Sequence, residues 1–227
     1  MKTKKQKLAY KKFNPKLKYS LLNALKIIKS ITFTNFDSSV DMDICLRVDT
    51  RKPNQIIRGS VNFPCGTGKN IRILALVPQE KEKEAKQAGA EYVGLNEYID
   101  KIKENWLDFD TIVTTPSVME KIGLLGKILG PKGLMPNPKI GTVTFKIGKI
   151  IKEIKLGKTT FKVDKYGIIH ISIGKVSFSI ENLEKNANEL IYVINKLKPI
   201  TIKGTYLNNI YLSSTMSPGV EIDIQKI

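Results

Sequence analysis

The sequence predicts two domains: a discontinuous α+β domain, an antiparallel split sheet with helices, interrupted by an inserted α/β three-layer domain with a parallel sheet. Three observations predict it. Near both ends of the chain, apolar and polar residues alternate, as in half-buried strands. In the middle, short apolar runs alternate with helical periodicity, the pattern of a parallel sheet covered on both faces. The chain has 227 residues and is 41% hydrophobic, enough for two cores. The expected boundaries are 1–66 with 159–227 for the discontinuous domain and 67–158 for the insert. Gly66, Gly68 and Gly157 stand at the crossings, where they suit either a hinge or an ordinary loop.

Residues 1–36 hold ten lysines and no acid. This reads as a solvated basic arm before a helix over Leu21 to Lys29 capped by Ser20, and equally as an arm that tracks phosphates. From Ser39 to Asp49 the pattern alternates, with Met42, Ile44, Leu46 and Val48 on one parity and Asp41, Asp43 and Cys45 on the other. Gln55 to Phe63 reads as a second strand. In the insert, apolar strands at Asn70 to Val77, Glu91 to Val93 and Thr111 to Thr114 alternate with helices. The helices are expected at Gln79 to Ala88, Asn96 to Trp106, Ser117 to Leu129 and Ile147 to Leu156. Beyond Gly157, Thr159 to Val163 and Ile168 to Ile173 flank Asp164-Lys165-Tyr166-Gly167, a hairpin turn with glycine where a positive φ is needed. Glu181 to Leu197 is an amphipathic helix, and Thr201 to Ile224 is mostly strand.

Thirty-eight basic residues against 21 acidic ones give a net charge of +17 and a pI near 9.7. Such an excess fits a polyanion, because each neutralised phosphate releases condensed counterions. The insert carries 16 basic and 11 acidic residues, a net of +5, and the remainder 22 and 10, a net of +12. The discontinuous domain is therefore the expected nucleic-acid platform. No run approaches the ~18 apolar residues that span a bilayer, so no membrane partner is expected. The leading segment lacks the apolar stretch of a secretory signal and has no arginine before Arg47, so the chain reads as cytosolic or made inside an organelle. Cys45, Cys65 and the lone His170 build neither a metal site nor a disulfide framework, and no cofactor is called for.

Catalytic alternatives are weak. Gly66-Thr67-Gly68-Lys69 lacks the spacing and the following hydroxyl residue of a phosphate loop. Gly123, Gly126, Gly130 and Gly133 come late in a helical pattern, where no dinucleotide fingerprint can sit. Asp41 and Asp43 share a strand face and could hold Mg²⁺ in a nuclease, although two carboxylates without a third ligand are more often a solvated face. His170 has no matching nucleophile, so a structural role is expected.

Residues 130–144, Gly-Pro-Lys-Gly-Leu-Met-Pro-Asn-Pro-Lys-Ile-Gly-Thr-Val-Thr, resemble the signature of one family. It is that of the first-numbered protein of the large ribosomal subunit, which forms the mobile stalk beside the tRNA exit site. Arg51 to Gly59, Cys65 to Gly68, Ala88 to Ala90, Asp164 to His170, Gly174-Lys175 and Lys203-Gly204-Thr205 are similar in order and spacing. The resemblance implies a cytoplasmic ribosomal protein, or one of an organelle's ribosome, and no enzyme. Implied partners are large-subunit rRNA, exit-site tRNA and the leader of its own mRNA, which it would repress.

The resemblance also implies contact residues. Phe36 matches the family's aromatic near the first strand. Ser39 and Asp41 stand where the family has threonine and glutamate, and Thr215 and Met216 open a Thr-Met-Gly triad whose third member here is Ser217. Ser213, Lys203 and Thr205 complete the set. Small hydroxyls suit the shallow minor groove and 2′-hydroxyls of A-form RNA, while lysines position without specifying. Lys132 and Lys139, in the signature loop, either touch RNA or are merely exposed. The leading expectation is a ribosomal RNA-binding protein. The alternatives are a non-ribosomal RNA-binding regulator and, behind it, a Mg²⁺-dependent nuclease using Asp41 and Asp43.

Overall fold

The structure is a computed structural model that describes residues 3–138, 141–200, 202 and 204–224. In chain order its elements are α1 (Lys4–Lys11), α2 (Leu21–Ile31), β1 (Ser39–Leu46), β2 (Arg58–Asn62), β3 (Ile73–Leu76), α3 (Gln79–Gln87), β4 (Tyr92–Gly94), α4 (Asn96–Lys103) and β5 (Thr111–Thr114). There follow α5 (Met119–Gly123), α6 (Gly126–Leu129), α7 (Ile147–Lys155), β6 (Lys158–Lys162), β7 (Ile168–Lys175), α8 (Ile180–Lys196), β8 (Leu207–Ser214) and β9 (Val220–Ile222). The chain divides into two compact units, Met1–Gly68 with Thr159–Ile227, and Lys69–Lys158. No helix among the described residues is long and apolar enough to cross a membrane.

The first unit is built on an antiparallel sheet of order β7-β1-β8-β9. Alternation along β1 sends Val40, Met42, Ile44 and Leu46 inward. They meet Ile210 and Leu212 of β8, Ile169, Ile171 and Ile173 of β7, and the apolar stripes of α2 (Leu25, Ile28) and α8 (Leu190, Ile194) in one core. Each such side chain contributes ~1.5–3 kcal/mol on full burial. The opposite parity leaves Asp41, Asp43, Tyr211, Ser213, His170 and Ser172 on the other face of the sheet.

Four details differ from the sequence expectation. The basic arm is not merely solvated: Lys4–Lys11 is helical, closed by a capping box between Thr3 and Gln6, with Ala9 and Phe13 in the core. Ser20 does occupy the cap position of α2, but its side chain makes no capping bond. The second strand begins at Arg58: a 3₁₀ turn at Pro53–Gln55 takes Gln55, and Ile56 and Ile57 lead into the strand without belonging to it. The strands around Asp164–Gly167 do not pair with each other. Instead β6 pairs with β2 and β7 with β1. The turn itself is closed, with Asp164 N donating to Ile168 O at 2.8 Å and Gly167 N to Asp164 O at 3.2 Å. Gly167 has φ +82°, and a Cβ there would lie 3.0 Å from Leu46 O, so only glycine lets the turn press against the end of β1.

The second unit has a parallel sheet of order β4-β3-β5. Leu74, Leu76 and Ile112 pack on one side with Ile99 and Ile102 of α4 and with Ile122 and Leu129. Ile73, Ala75, Val77 and Val113 pack on the other with Ala85 of α3 and Ile147, Ile151 and Ile154 of α7. The periodicity over Ser117 to Leu129 resolves into a 3₁₀ turn and the short helices α5 and α6. Gly123 and Gly126, each costing about 1 kcal/mol in a helix interior, stand at the break.

The signature loop closes onto this sheet. Asn137 N donates to Thr142 Oγ1 at 2.8 Å, and Thr142 Oγ1 donates to Asn137 O at 3.2 Å. Thr114 N then donates to Thr142 O at 3.0 Å and Thr144 N to Thr114 O at 2.9 Å, so the loop ends as a parallel bridge beside β5. Lys132 is exposed, and Lys139 lies outside the described residues.

Candidate nucleic-acid interface

Seven of the nine expected contact residues gather at one end of the first unit's sheet. Cross-strand register sets Asp41 opposite Ser213 and Val40 opposite Ser214, and Thr215 N donates to Ser39 O at 3.3 Å. Phe36, 61% exposed, stands three residues before β1. Its loop is fastened on both sides. Thr32 Oγ1 donates to Ile28 O, and its oxygen lies 2.7 Å from Ser214 Oγ. Asp37 accepts from Ser177 N at 3.0 Å and Ser177 Oγ at 2.8 Å.

Met216 is 65% exposed and holds φ +69°, the left-handed region that side chains other than glycine avoid. An apolar side chain turned to solvent by a strained backbone is the kind of outlier that points to function. Beside it the hydroxyls divide in two. No described residue bonds the Thr215 or Ser213 hydroxyl, so both are available to a ligand. Ser217, by contrast, turns its hydroxyl inward, where it accepts from Ser214 N at 3.2 Å and donates to Ser214 O at 3.0 Å. The family's glycine is thus replaced by a residue whose hydroxyl is spent on closing the turn.

Thr205 is not part of this group. It lies at the opposite end of the sheet, just before β8, where Arg47 N donates to Tyr206 O at 2.9 Å. Eight residues of β1 at ~3.4 Å each separate the two ends by roughly 25 Å. Lys203 lies outside the described residues. That far end also brings together two stretches remote in sequence: Thr50 Oγ1 donates to Lys165 O at 2.7 Å, and Leu46 N to Gly167 O at 2.8 Å. Arg47, Arg51, Lys52 and Lys165 are exposed there, with Tyr166 74% exposed and Lys165 Nζ 5.0 Å from its ring centre. A cationic cluster around an open aromatic ring suits a phosphate backbone with an adjacent base. Sequence order alone did not single out Tyr166, although the family-like stretches from Arg51 and from Asp164 flank it.

The acids of the outward face are largely engaged. His170 Nδ1 lies 2.6 Å from Asp43 Oδ1, its cross-strand partner, and Nε2 3.7 Å from Asp164 Oδ2. Burial pushes the Asp164 carboxyl up, but the amides of Ile168 and Tyr166 and the neighbouring His170 outweigh it and hold it below the usual carboxylate range. Burial, then Asp43 and Asp164, push the Cys45 thiol up. Cys45 and Cys65 are both free thiols. Among the described residues no three His, Cys, Asp or Glu side chains are grouped to hold a metal ion.

In the glycine loop, Gly66 N donates to Phe63 O at 3.1 Å, and a buried side chain of α8 holds the residues where the loop begins. Asn186, fully buried in α8, accepts from Cys65 N at 3.2 Å and donates to Gly66 O at 2.9 Å and Ile173 O at 2.8 Å. Gly66 and Gly68 take φ +67° and +68° in this loop.

The chain is similar to proteins named large ribosomal subunit protein uL1. It is 60% identical over 221 residues to that of Porphyromonas gingivalis, covering 97% of this chain and 95% of the relative. It is 57% identical over 225 residues to that of Bacteroides thetaiotaomicron, covering 99% and 97%. It is 54% identical over 224 residues to that of Christiangramia forsetii, again covering 99% and 97%. Those names are of a ribosomal protein and not of an enzyme. With the profile of the Ribosomal protein L1p/L10e family matching residues 27–218, the chain belongs to that family.

Proposed function

We propose that this protein is a structural constituent of the large ribosomal subunit that binds a folded stem of large-subunit rRNA through the Phe36–Met216 end of its first unit. Family membership supports the coarser statement. The finer one is carried by one observation: Met216, held in a left-handed conformation, stands exposed beside the unengaged hydroxyl of Thr215 and at the same sheet end as Phe36. Hydroxyls meet 2′-hydroxyls and base edges in a shallow minor groove, while the two apolar side chains pack on sugars or bases. The far end of the same sheet, with Tyr166 among Arg47, Arg51, Lys52 and Lys165, supports a second contact to exit-site tRNA. A leader in its own mRNA that imitates the rRNA stem would compete for the first surface, and that competition is the proposed basis of translational repression.

The test is a titration of the full chain against a stalk-rRNA fragment. Thr215→Val weakens binding by about 1–2 kcal/mol, the cost of losing one hydrogen bond in a dry interface, and leaves thermal stability within ~0.5 kcal/mol because the hydroxyl has no partner among the described residues. Unchanged affinity removes Thr215 from the contact surface. Co-sedimentation with large subunits separates this reading from that of a regulator outside the ribosome.

A further inference from the structure

Helix α1 forms against electrostatic expectation. Lys4, Lys7 and Lys11 recur at i, i+3 and i+7, a single stripe, with Lys5 beside it, and all four are exposed. Like charges at that spacing repel along a helix. The first turn holds no acid, although the helix dipole favours one there. Eight residues are also too few for a helix to persist alone in water.

The fold holds it nonetheless. Gln6 N donates to Thr3 Oγ1 at 3.3 Å and Thr3 N to Gln6 Oε1 at 3.1 Å. Ala9 and Phe13 enter the core, Tyr10 stacks on Phe13 at 6.0 Å, and Lys12 Nζ donates to Ser30 O at 2.6 Å. These interactions set α1 beside the last turn of α2. Lys5 Nζ lies 5.9 Å from the centre of the Phe33 ring, so the first turn of α1 meets the segment that displays Phe36. No described residue pairs Lys4, Lys5, Lys7 or Lys11 with a carboxylate.

We infer that α1 is a phosphate-contacting helix that extends the Phe36–Met216 surface along the backbone of the same RNA stem. The inference rests on that surface being the RNA interface. The stripe from Lys4 to Lys11 runs ~10 Å at 1.5 Å per residue, long enough to follow a sugar–phosphate strand. A polyanion relieves the repulsion that the protein alone must bear. An anionic membrane would relieve it too, but Ala9 of α1 and Phe13 just after it are committed to the core, which leaves Leu8 as the one large aliphatic side chain exposed on the helix, too little to anchor it in a bilayer.

The experiment titrates the full chain against the stalk-rRNA fragment over a range of monovalent salt. Four substitutions are combined: Lys4→Ala, Lys5→Ala, Lys7→Ala and Lys11→Ala. Alanine is the best helix former, so α1 persists. The slope of log affinity against log salt falls by about 2–4 in magnitude, near 0.9 for each phosphate no longer neutralised, and affinity at low salt drops at least tenfold. Lys7→Ala alone lowers the slope by about 0.9, which keeps the test valid if the combined variant folds poorly. Thr215→Val, in the same assay, weakens binding with the slope unchanged. An unaltered slope in the lysine variants, with Thr215→Val still weakening binding, overturns the role of α1 alone. Failure of the unaltered protein to bind the stem overturns the interface itself. If the lysine variants lose adsorption to phosphatidylserine vesicles while their RNA slope stays the same, α1 is a membrane-binding helix and the inference is wrong.

Discussion

Replacing Met216 by glycine separates what the surface turn costs from what it does. At φ +69° a side chain with a Cβ is strained by ~1–2 kcal/mol, and glycine removes that strain. The added freedom of glycine in the unfolded chain takes back ~0.4–1 kcal/mol. The Met216 side chain is 65% exposed, so little packing is given up. Met216→Gly is therefore expected to be more stable by about 0.5–1 kcal/mol, a rise of ~1–4 °C in Tm for a chain of this size. Binding moves the other way. Full burial of a methionine contributes ~1.5–3 kcal/mol, and the two-thirds still exposed in the free protein leave ~1–2 kcal/mol to be gained against RNA. The variant should bind the stalk-rRNA fragment roughly 5–30-fold more weakly. Met216→Leu keeps the apolar surface and the strain, and should stay within about threefold of the parent in affinity, a difference of ~0.6 kcal/mol. Calorimetric melting with a filter-binding titration reads both quantities. A fall of several degrees in Tm, or an affinity unchanged by the glycine, refutes the reasoning.

Two further outcomes concern the core. Asn186→Leu removes the bonds to Cys65, Gly66 and Ile173, leaving the buried Ile173 carbonyl without its partner and two half-buried groups dependent on water. Urea unfolding should show a loss of about 2–4 kcal/mol, and a loss under ~1 kcal/mol would show that the loop does not depend on this side chain. Tyr206 is 5% exposed, its hydroxyl has no partner among the described residues, and burial pushes the phenol up to about 12. Its folded pKa exceeds the unfolded value near 10, so the stability it carries is intact below pH 10 and lost as pH rises toward 12, by roughly 3 kcal/mol. Tyr206→Phe should be at least as stable as the parent at neutral pH and should lack that alkaline loss; an identical alkaline decline in both proteins would assign the effect elsewhere.

How far the sequence foretells this molecule depends on the range of each interaction. Thr111 to Thr114 and the two long helices of the discontinuous domain were legible because burial alone decides them. Helix α1 was missed although Thr3-Lys4-Lys5-Gln6 spells a capping box, since ten lysines without an acid outweighed that local signal. The turn at Asp164 was legible from its glycine, but strand partners are chosen by the shape of the core, and β6 and β7 go to different sheets. At the interface, likeness to a family selected residues without saying which end of a sheet they share, and Thr205 fell roughly 25 Å from the others by the length of β1. Ser217 is the departure visible in the sequence at the turn, whereas the strain sits at Met216, a residue type with no preference for a positive φ that could announce it.

Short-range photocrosslinking in purified ribosomes, with the probe placed in turn at Phe36, Met216 and Lys132, tests the central claim most directly. Both Phe36 and Met216 should join the same stem of large-subunit rRNA, and Lys132, in the other unit, should not. Crosslinks to that stem from Lys132 alone would contradict the assignment.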